Sequence, residues 1–273
     1  MKRIVTLLIT LLVAGAGLAH AGDLNLAAAS DLSFAMKELA ANYQKQTGNS
    51  VKVTLGSSGN FFTQIQNGAP FDLFFAADID YPKKLEAAGL GEPGTLYQYA
   101  TGKIVMWVPA SSPLDVSKGL SLLLDPSVRK ISIANPAHAP YGRAAVAAMT
   151  KQGIYDKVTG KLVFGENISQ ATQFVESGNA DVGILALSLA MAPAMADKGR
   201  YFEVPQDLYP PIDQGAIVIK SSQKKNEAKQ FLAFLKTPES VATMQRYGFK
   251  LPEVMSVAPK SLEKKEEKKE KKS

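Results

Sequence analysis

With 273 residues, 46% of them hydrophobic, the chain is long enough for one large or two medium domains around a substantial core. Its formal charge of +6 sits at the ends: Lys2 and Arg3 carry two charges, and the segment from Lys260 onward carries three more, leaving residues 22–259 near +1. A nearly neutral middle without a basic patch excludes a phosphate-backbone footprint and thus a nucleic-acid partner, and the absence of cysteine excludes disulfides, thiol chemistry and a lipid-modified N-terminal cysteine.

The chain opens as an export signal: Met1, Lys2 and Arg3, an apolar run from Ile4 to Leu18, then Ala19, His20 and Ala21 as a small-x-small cleavage site. The run is interrupted by Gly15 and Gly17 and falls short of the roughly 20 residues that a membrane span needs. Residues 1–21 are therefore expected to be removed after Ala21, leaving a protein of the periplasm. From Asp23 onward strands and helices alternate across short polar junctions, the pattern of a layered α/β protein. Leu24–Ala29 reads as an apolar strand, and Leu32, Met36, Leu39 and Tyr43 follow at helical spacing with Gly48 as the stop. Val51–Gly56 and Asp72–Ala77 read as strands, with a helix through Phe61 and Ile65 between them. Asp78 and Asp80 start a further helix that Gly89 and Gly91 end.

A second block begins with the strand Lys103–Val108. It continues through strands at Ile131–Ala134, Leu162–Phe164 and Val182–Leu185 and helices at Arg143–Lys151 and Ser169–Glu176. The chain then returns through Tyr201–Val204 to a strand at Gly215–Ile219 and helices at Lys224–Leu235 and Glu239–Tyr247. The expected architecture is α/β with two lobes, each a mixed sheet flanked by helices. Residues 22–102 and 203–255 form the first lobe and 103–202 the second, with a hinge and a ligand cleft between them. Residues 256–273 form a Lys/Glu tail with no apolar face, expected to be solvated.

Four strand ends share one arrangement. Ser30 and Asp31 follow the first strand, and Gly56, Ser57, Ser58 and Gly59 join the second to its helix. Ala139–Gly142 and Asn167–Ser169 stand at the corresponding junctions of the second block. Hydroxyls and unpaired N–H groups at helix starts beyond strand ends make a ready anion site. Taken singly, each residue has an ordinary reading: Ser30 and Ser58 as N-caps, Tyr141 as a turn residue, Ile168 as core. Taken together, two junctions per lobe line a cleft with neutral donors. A buried dianion is costly unless nearly every oxygen accepts a hydrogen bond, and a pocket of donors alone disfavours an anion that still carries an O–H. Asp72, Asp78 and Asp80 are expected to pin loops rather than to bind metal. A serine hydrolase is a competing reading, but once His20 is removed only His138 remains as a base, and Gly56–Gly59 lacks the spacing of a nucleophile elbow. The chain is accordingly read as no enzyme, with His138 a loop residue.

The stretches Ala27–Asp31, Gly56–Gly59, Gly68–Asp78, Ala139–Gly142, Gly165–Ser169 and Arg246–Phe249 resemble, in order and across nearly the whole of residues 23–252, the periplasmic molybdate-binding proteins of ABC importers. The resemblance implies a two-lobed periplasmic-binding-protein fold of type II-like organisation. It further implies a monomer that captures molybdate or tungstate for a membrane permease, with no cofactor and no catalytic residue. Another tetrahedral oxyanion such as sulfate is the alternative cargo. By position, the resemblance implies the hydroxyls of Ser30 and Ser58, the hydroxyl of Tyr141 and the backbone N–H of Ile168 as ligands, reaching molybdenum only through the oxygens of the anion. Some members carry a ligand tyrosine where this chain has Ala186, so Tyr141 is expected to supply that bond. Asp31 is expected to contribute its backbone N–H with the carboxylate turned away, and Gly56 and Gly59 to let backbone approach the ligand.

Overall fold

The computed structural model describes residues 23–252. The export signal, the charged tail and the last residues assigned to the first lobe lie outside that range. The chain first runs through β1 (Leu24–Ala29), a 3-10 turn (Ser30–Leu32), α1 (Ser33–Thr47), β2 (Val51–Gly56), α2 (Ser58–Gln66), β3 (Leu73–Ala76), α3 (Asp80–Ala87) and β4 (Tyr97–Gly102). It continues with β5 (Ile104–Pro109), β6 (Ile131–Ala134), α4 (Pro140–Lys151), α5 (Tyr155–Val158), β7 (Leu162–Gly165), α6 (Ile168–Glu176), β8 (Val182–Ala186), α7 (Leu187–Ala190) and β9 (Gly199–Glu203). It then returns through β10 (Ile212–Val218) to α8 (Lys225–Phe234) and α9 (Pro238–Arg246). The strands form two five-stranded sheets, in the orders β2-β1-β3-β10-β4 and β7-β6-β8-β5-β9. Among the described residues, only the links from β4 to β5 and from β9 to β10 pass between them.

The two sheets are wired alike. Three parallel strands (β2, β1, β3 in one; β7, β6, β8 in the other) are joined by an antiparallel neighbour, β10 or β5. Sequence explains which strands are central: β1, β3 and β8 are apolar runs buried along nearly their whole length, whereas the edge strand β2 places exposed residues among half-buried ones. Register then aligns the strand ends. Ala29 pairs with Gly56 in the first sheet and Ala134 with Gly165 in the second, so the loops that follow leave side by side. On one face α1 buries Ala35, Met36, Leu39 and Tyr43, with the Tyr43 ring edge-on to Phe231 and Phe234 of α8. Each of the larger of these side chains contributes about 1.5–3 kcal/mol by leaving water.

Two differences from the sequence reading bear on the site. β4 is an additional strand, its alternation hidden among tyrosines and a glycine, and it pairs with β10. β10 begins at Ile212 rather than at Gly215, because the polar pair Asp213 and Gln214 sits within the strand at a register shift next to Gly215. The extension draws Gln214 into the interior, where it is fully buried.

Candidate functional site

The 3-10 turn after β1 and the N-termini of α2, α4 and α6 converge between the sheets. They line a cavity of about 10 Å³ whose walls include Ser30, Asp31, Ser57, Ser58, Tyr141 and Ile168 and no lysine or arginine. Of the sequence-expected residues, Ser30, Asp31, Ser58, Tyr141 and Ile168 are all brought here, each at most 3% exposed.

The hydrogen bonds around the cavity assign a proton to each hydroxyl. Ser58 Oγ accepts the Ala77 N–H at 2.9 Å, so its own proton is left to point into the cavity. Its neighbour Ser57 occupies the N-cap of α2 without capping it; its hydroxyl instead lies 2.9 Å from Nδ1 of His138. The Glu166 carboxylate stands 3.5 Å from Nε2 of His138 on the other side of the ring. Ser30 accepts the Ser169 N–H at 3.3 Å and donates to Oδ1 of Asn167 at 3.1 Å. That same Asn167 oxygen caps α6 by accepting the Gln170 N–H. The N–H groups of Ile168 in α6 and of Tyr141 in α4 stand in the first turns of their helices, where no intrahelical acceptor exists.

Behind this cavity lies a second buried cluster. The Asp31 carboxylate accepts from the Tyr141 hydroxyl at 2.9 Å and from the Gln214 amide at 2.7 Å, while that amide also donates to the Tyr141 oxygen at 2.9 Å. Burial raises the Asp31 pKa to about 7, against the lowering effect of these hydrogen bonds. Tyr141 is pushed well above the usual phenol range, by burial first and then by Asp31, and stays a donor. Asp31 Oδ1 and Gln214 Oε1 are buried without a hydrogen-bond partner. A side chain on Gly102 would meet the Tyr141 hydroxyl oxygen at 2.2 Å, so glycine is what admits the tyrosine here.

Three expectations change. The Tyr141 hydroxyl, expected to face the anion, spends its one proton on Asp31, and the donor that Tyr141 offers the cavity is its backbone N–H. Gly56 and Gly59 have a packing role: the missing Cβ of Gly56 makes room for the Phe61 ring, and that of Gly59 for His138. His138 is more than a loop residue, since it bridges to Ser57. Gln214 and Ser188, whose hydroxyl donates to the Asp31 carbonyl at 2.8 Å, were missed. The polar pair Asp213 and Gln214 ahead of an apolar run was the available signal for Gln214. The Ser57–His138–Glu166 alignment spans the two lobes, since Ser57 follows a strand of one sheet and His138 a strand of the other. They touch only with the lobes together, when Ser57 is buried and the cavity holds about one water-sized sphere. A larger cleft of about 500 Å³ beside α4, walled by residues of both lobes, includes Asp78, Asp80, Lys83, Arg143 and Asp213. Its three carboxylates suit a desolvated dianion poorly.

Residues 24–250 match the family model described as bacterial extracellular solute-binding protein. The chain is 41% identical over 231 residues to the molybdate-binding protein ModA of Rhodobacter capsulatus, covering 85% of this chain and 89% of that protein. It is 39% identical to the ModA of Azotobacter vinelandii over 241 residues, covering 87% and 95%. The solved structure of the Azotobacter vinelandii periplasmic molybdate-binding protein superposes with a TM-score of 0.80 at 36% identity, covering 84% of this chain and all of that one. At 17% identity and a TM-score of 0.70, the sulfate-binding protein SubI of Mycobacterium tuberculosis shares the fold. This chain belongs to the bacterial extracellular solute-binding protein family.

Proposed function

We propose that the protein captures molybdate or tungstate in the cavity between its lobes and delivers it to the membrane permease of an ABC importer. The observation that carries this reading is an interlobe cavity lined by hydroxyls and helix starts, with no lysine or arginine in its wall. The curated relatives named for molybdate support the choice of cargo. Ser58 acts through its hydroxyl, Ser30 through its hydroxyl once that proton turns from Asn167 to the anion, and Asp31, Tyr141 and Ile168 through their N–H groups. Bonds from neutral donors to a charged acceptor are stronger than neutral pairs, and donors alone leave no acceptor for the proton of a monoprotonated phosphate. A tetrahedral oxyanion exceeds a cavity of about 10 Å³, so the lobes, residues 22–102 with 203–255 and residues 103–202, part around the two interlobe links for entry and close over the ligand.

The protein acts as a periplasmic monomer released from residues 1–21, and it binds rather than converts its ligand. Among the described residues no helix is long and apolar enough to cross a membrane. Calorimetric titration of the protein from Gly22 onward with molybdate, tungstate, sulfate and phosphate tests the assignment. Molybdate and tungstate are expected to bind tightly and phosphate not at all; tight binding of sulfate or phosphate alone would reject it.

A further inference from the structure

We propose that His138 and Gly59 form a closing clasp, a contact between the lobes that touches no ligand and sets how tightly the oxyanion is held by setting how much of the protein is closed. The inference rests on the capture reading above and adds to it two residues outside the donor set.

Three observations place the clasp. The first is a two-point grip: the Gly59 N–H in the first turn of α2 donates to the His138 carbonyl at 2.9 Å, and the Ser57 hydroxyl lies 2.9 Å from the His138 ring. Gly59 thus spends a helix-start donor on the opposite lobe. The second is the size of residue 59. A Cβ there would fall 2.8 Å from the His138 carbonyl oxygen and 2.9 Å from its Cβ, closer than real contacts allow. The carbonyl is backbone and has no rotamer by which to move aside. Gly59 lies inside α2 with no positive φ, so its own backbone conformation would accept alanine; only the approach of His138 demands glycine. The third is the unused cap. Ser57 sits at the N-cap of α2 with extended backbone, yet its side chain bonds no N–H of that helix. An N-cap serine is ordinarily worth about 1 kcal/mol to its helix, and here that bond gives way to the contact with the other lobe.

Both contacts join the two lobes, because Ser57 and Gly59 follow β2 of one sheet and His138 follows β6 of the other. The binding-competent fraction multiplies the intrinsic affinity. Weakening the clasp therefore lowers affinity and speeds release while the donors stay in place.

The test uses Gly59→Ala and His138→Ala in the full-length exported protein, with molybdate as the probe. Calorimetry, the dissociation rate, the ligand-free melting temperature and the scattering radius of gyration at saturating molybdate are measured. Gly59→Ala is expected to weaken molybdate binding by about tenfold or more, to leave the ligand-free melting temperature unchanged, and to keep the saturated protein more expanded than wild type. His138→Ala is expected to lose several-fold in affinity through a faster dissociation rate. Adding it to Gly59→Ala is expected to cost less than its effect alone, because the contact is already broken. Binding by Gly59→Ala within about twofold of wild type, or fully additive losses in the double variant, would overturn the clasp. If Gly59→Ala melts early, the His138→Ala dissociation rate decides alone, and an unchanged rate overturns the proposal. Failure of the wild type itself to bind molybdate would instead strike at the capture reading.

Discussion

The cavity around Ser30 and Ser58 and the cluster of Asp31, Tyr141 and Gln214 are both buried, both polar and both built across the two lobes, yet they are opposite in kind. In the first, donors outnumber acceptors: Ser58 has its acceptor role filled by Ala77, and the N–H groups of Tyr141 and Ile168 begin helices. In the second, acceptors outnumber donors, and Asp31 Oδ1 and Gln214 Oε1 have no partner. An excess of donors invites a bound anion, whereas an excess of acceptors around a carboxylate favours a proton. Two clusters sharing Tyr141 can stay distinct because that residue turns its backbone to one and its hydroxyl to the other.

The strongest way to sharpen this contrast is to neutralise the acceptor-rich side. The folded-state pKa of Asp31, about 7, lies above the ordinary aspartate value of 3.8, so between these values the folded protein holds a proton that the unfolded chain has released. Its contribution to stability is therefore most favourable below about pH 4 and is lost as pH rises toward 7. Asp31→Asn should remove this loss, raising stability relative to wild type by on the order of a few kcal/mol at pH 8 and by little at pH 4. Melting curves at the two pH values check this, and a pH-independent difference would contradict it.

Next in size is the donor side. Ser58→Ala should weaken molybdate binding by about 1–3 kcal/mol, because an anion oxygen loses a partner and the Ala77 N–H loses its acceptor. Calorimetry that finds unchanged affinity removes Ser58 from the site. Tyr141→Phe separates the two clusters directly. It deletes a hydrogen bond to a carboxylate and should cost about 1.5–3 kcal/mol of stability at pH 8, while molybdate affinity changes less than in Ser58→Ala. A larger affinity loss than in Ser58→Ala would return the hydroxyl to the ligand. The smallest effect is expected at Tyr43, whose hydroxyl is buried without a partner far from either cluster. Tyr43→Phe should be neutral or stabilising by about 1 kcal/mol in chemical denaturation, and a clear destabilisation would indicate a partner for that hydroxyl.

Much of this organisation was legible in the chain. Apolar runs such as Leu24–Ala29, helical spacing from Leu32 to Tyr43 and polar junctions rich in Gly and Ser are local signals, and they located most strands, most long helices and the four helix starts that meet at the cavity. The four junctions could be picked out because hydroxyls and helix-start N–H groups at strand ends follow from local pattern, whereas the choice of Ser30, Ser58, Tyr141 and Ile168 within them rested on the family resemblance. Gln214 was not legible as a partner of Asp31, since 183 residues separate the two and the polar pair at 213–214 imitates a turn.

The sequence by itself determined which groups could donate, since residue type and a place at a helix start fix the presence of an O–H or N–H. Only the tertiary structure decided where each proton goes. Ser57 and Ser58 are adjacent and chemically identical, yet one faces His138 across the cleft and the other accepts from Ala77 within its own lobe. Likewise Tyr141 could have offered its hydroxyl to an anion until the second lobe placed it against Asp31. A hydroxyl has one proton to donate, and the neighbour that receives it is chosen by strand register and lobe closure, which act between residues far apart in the chain.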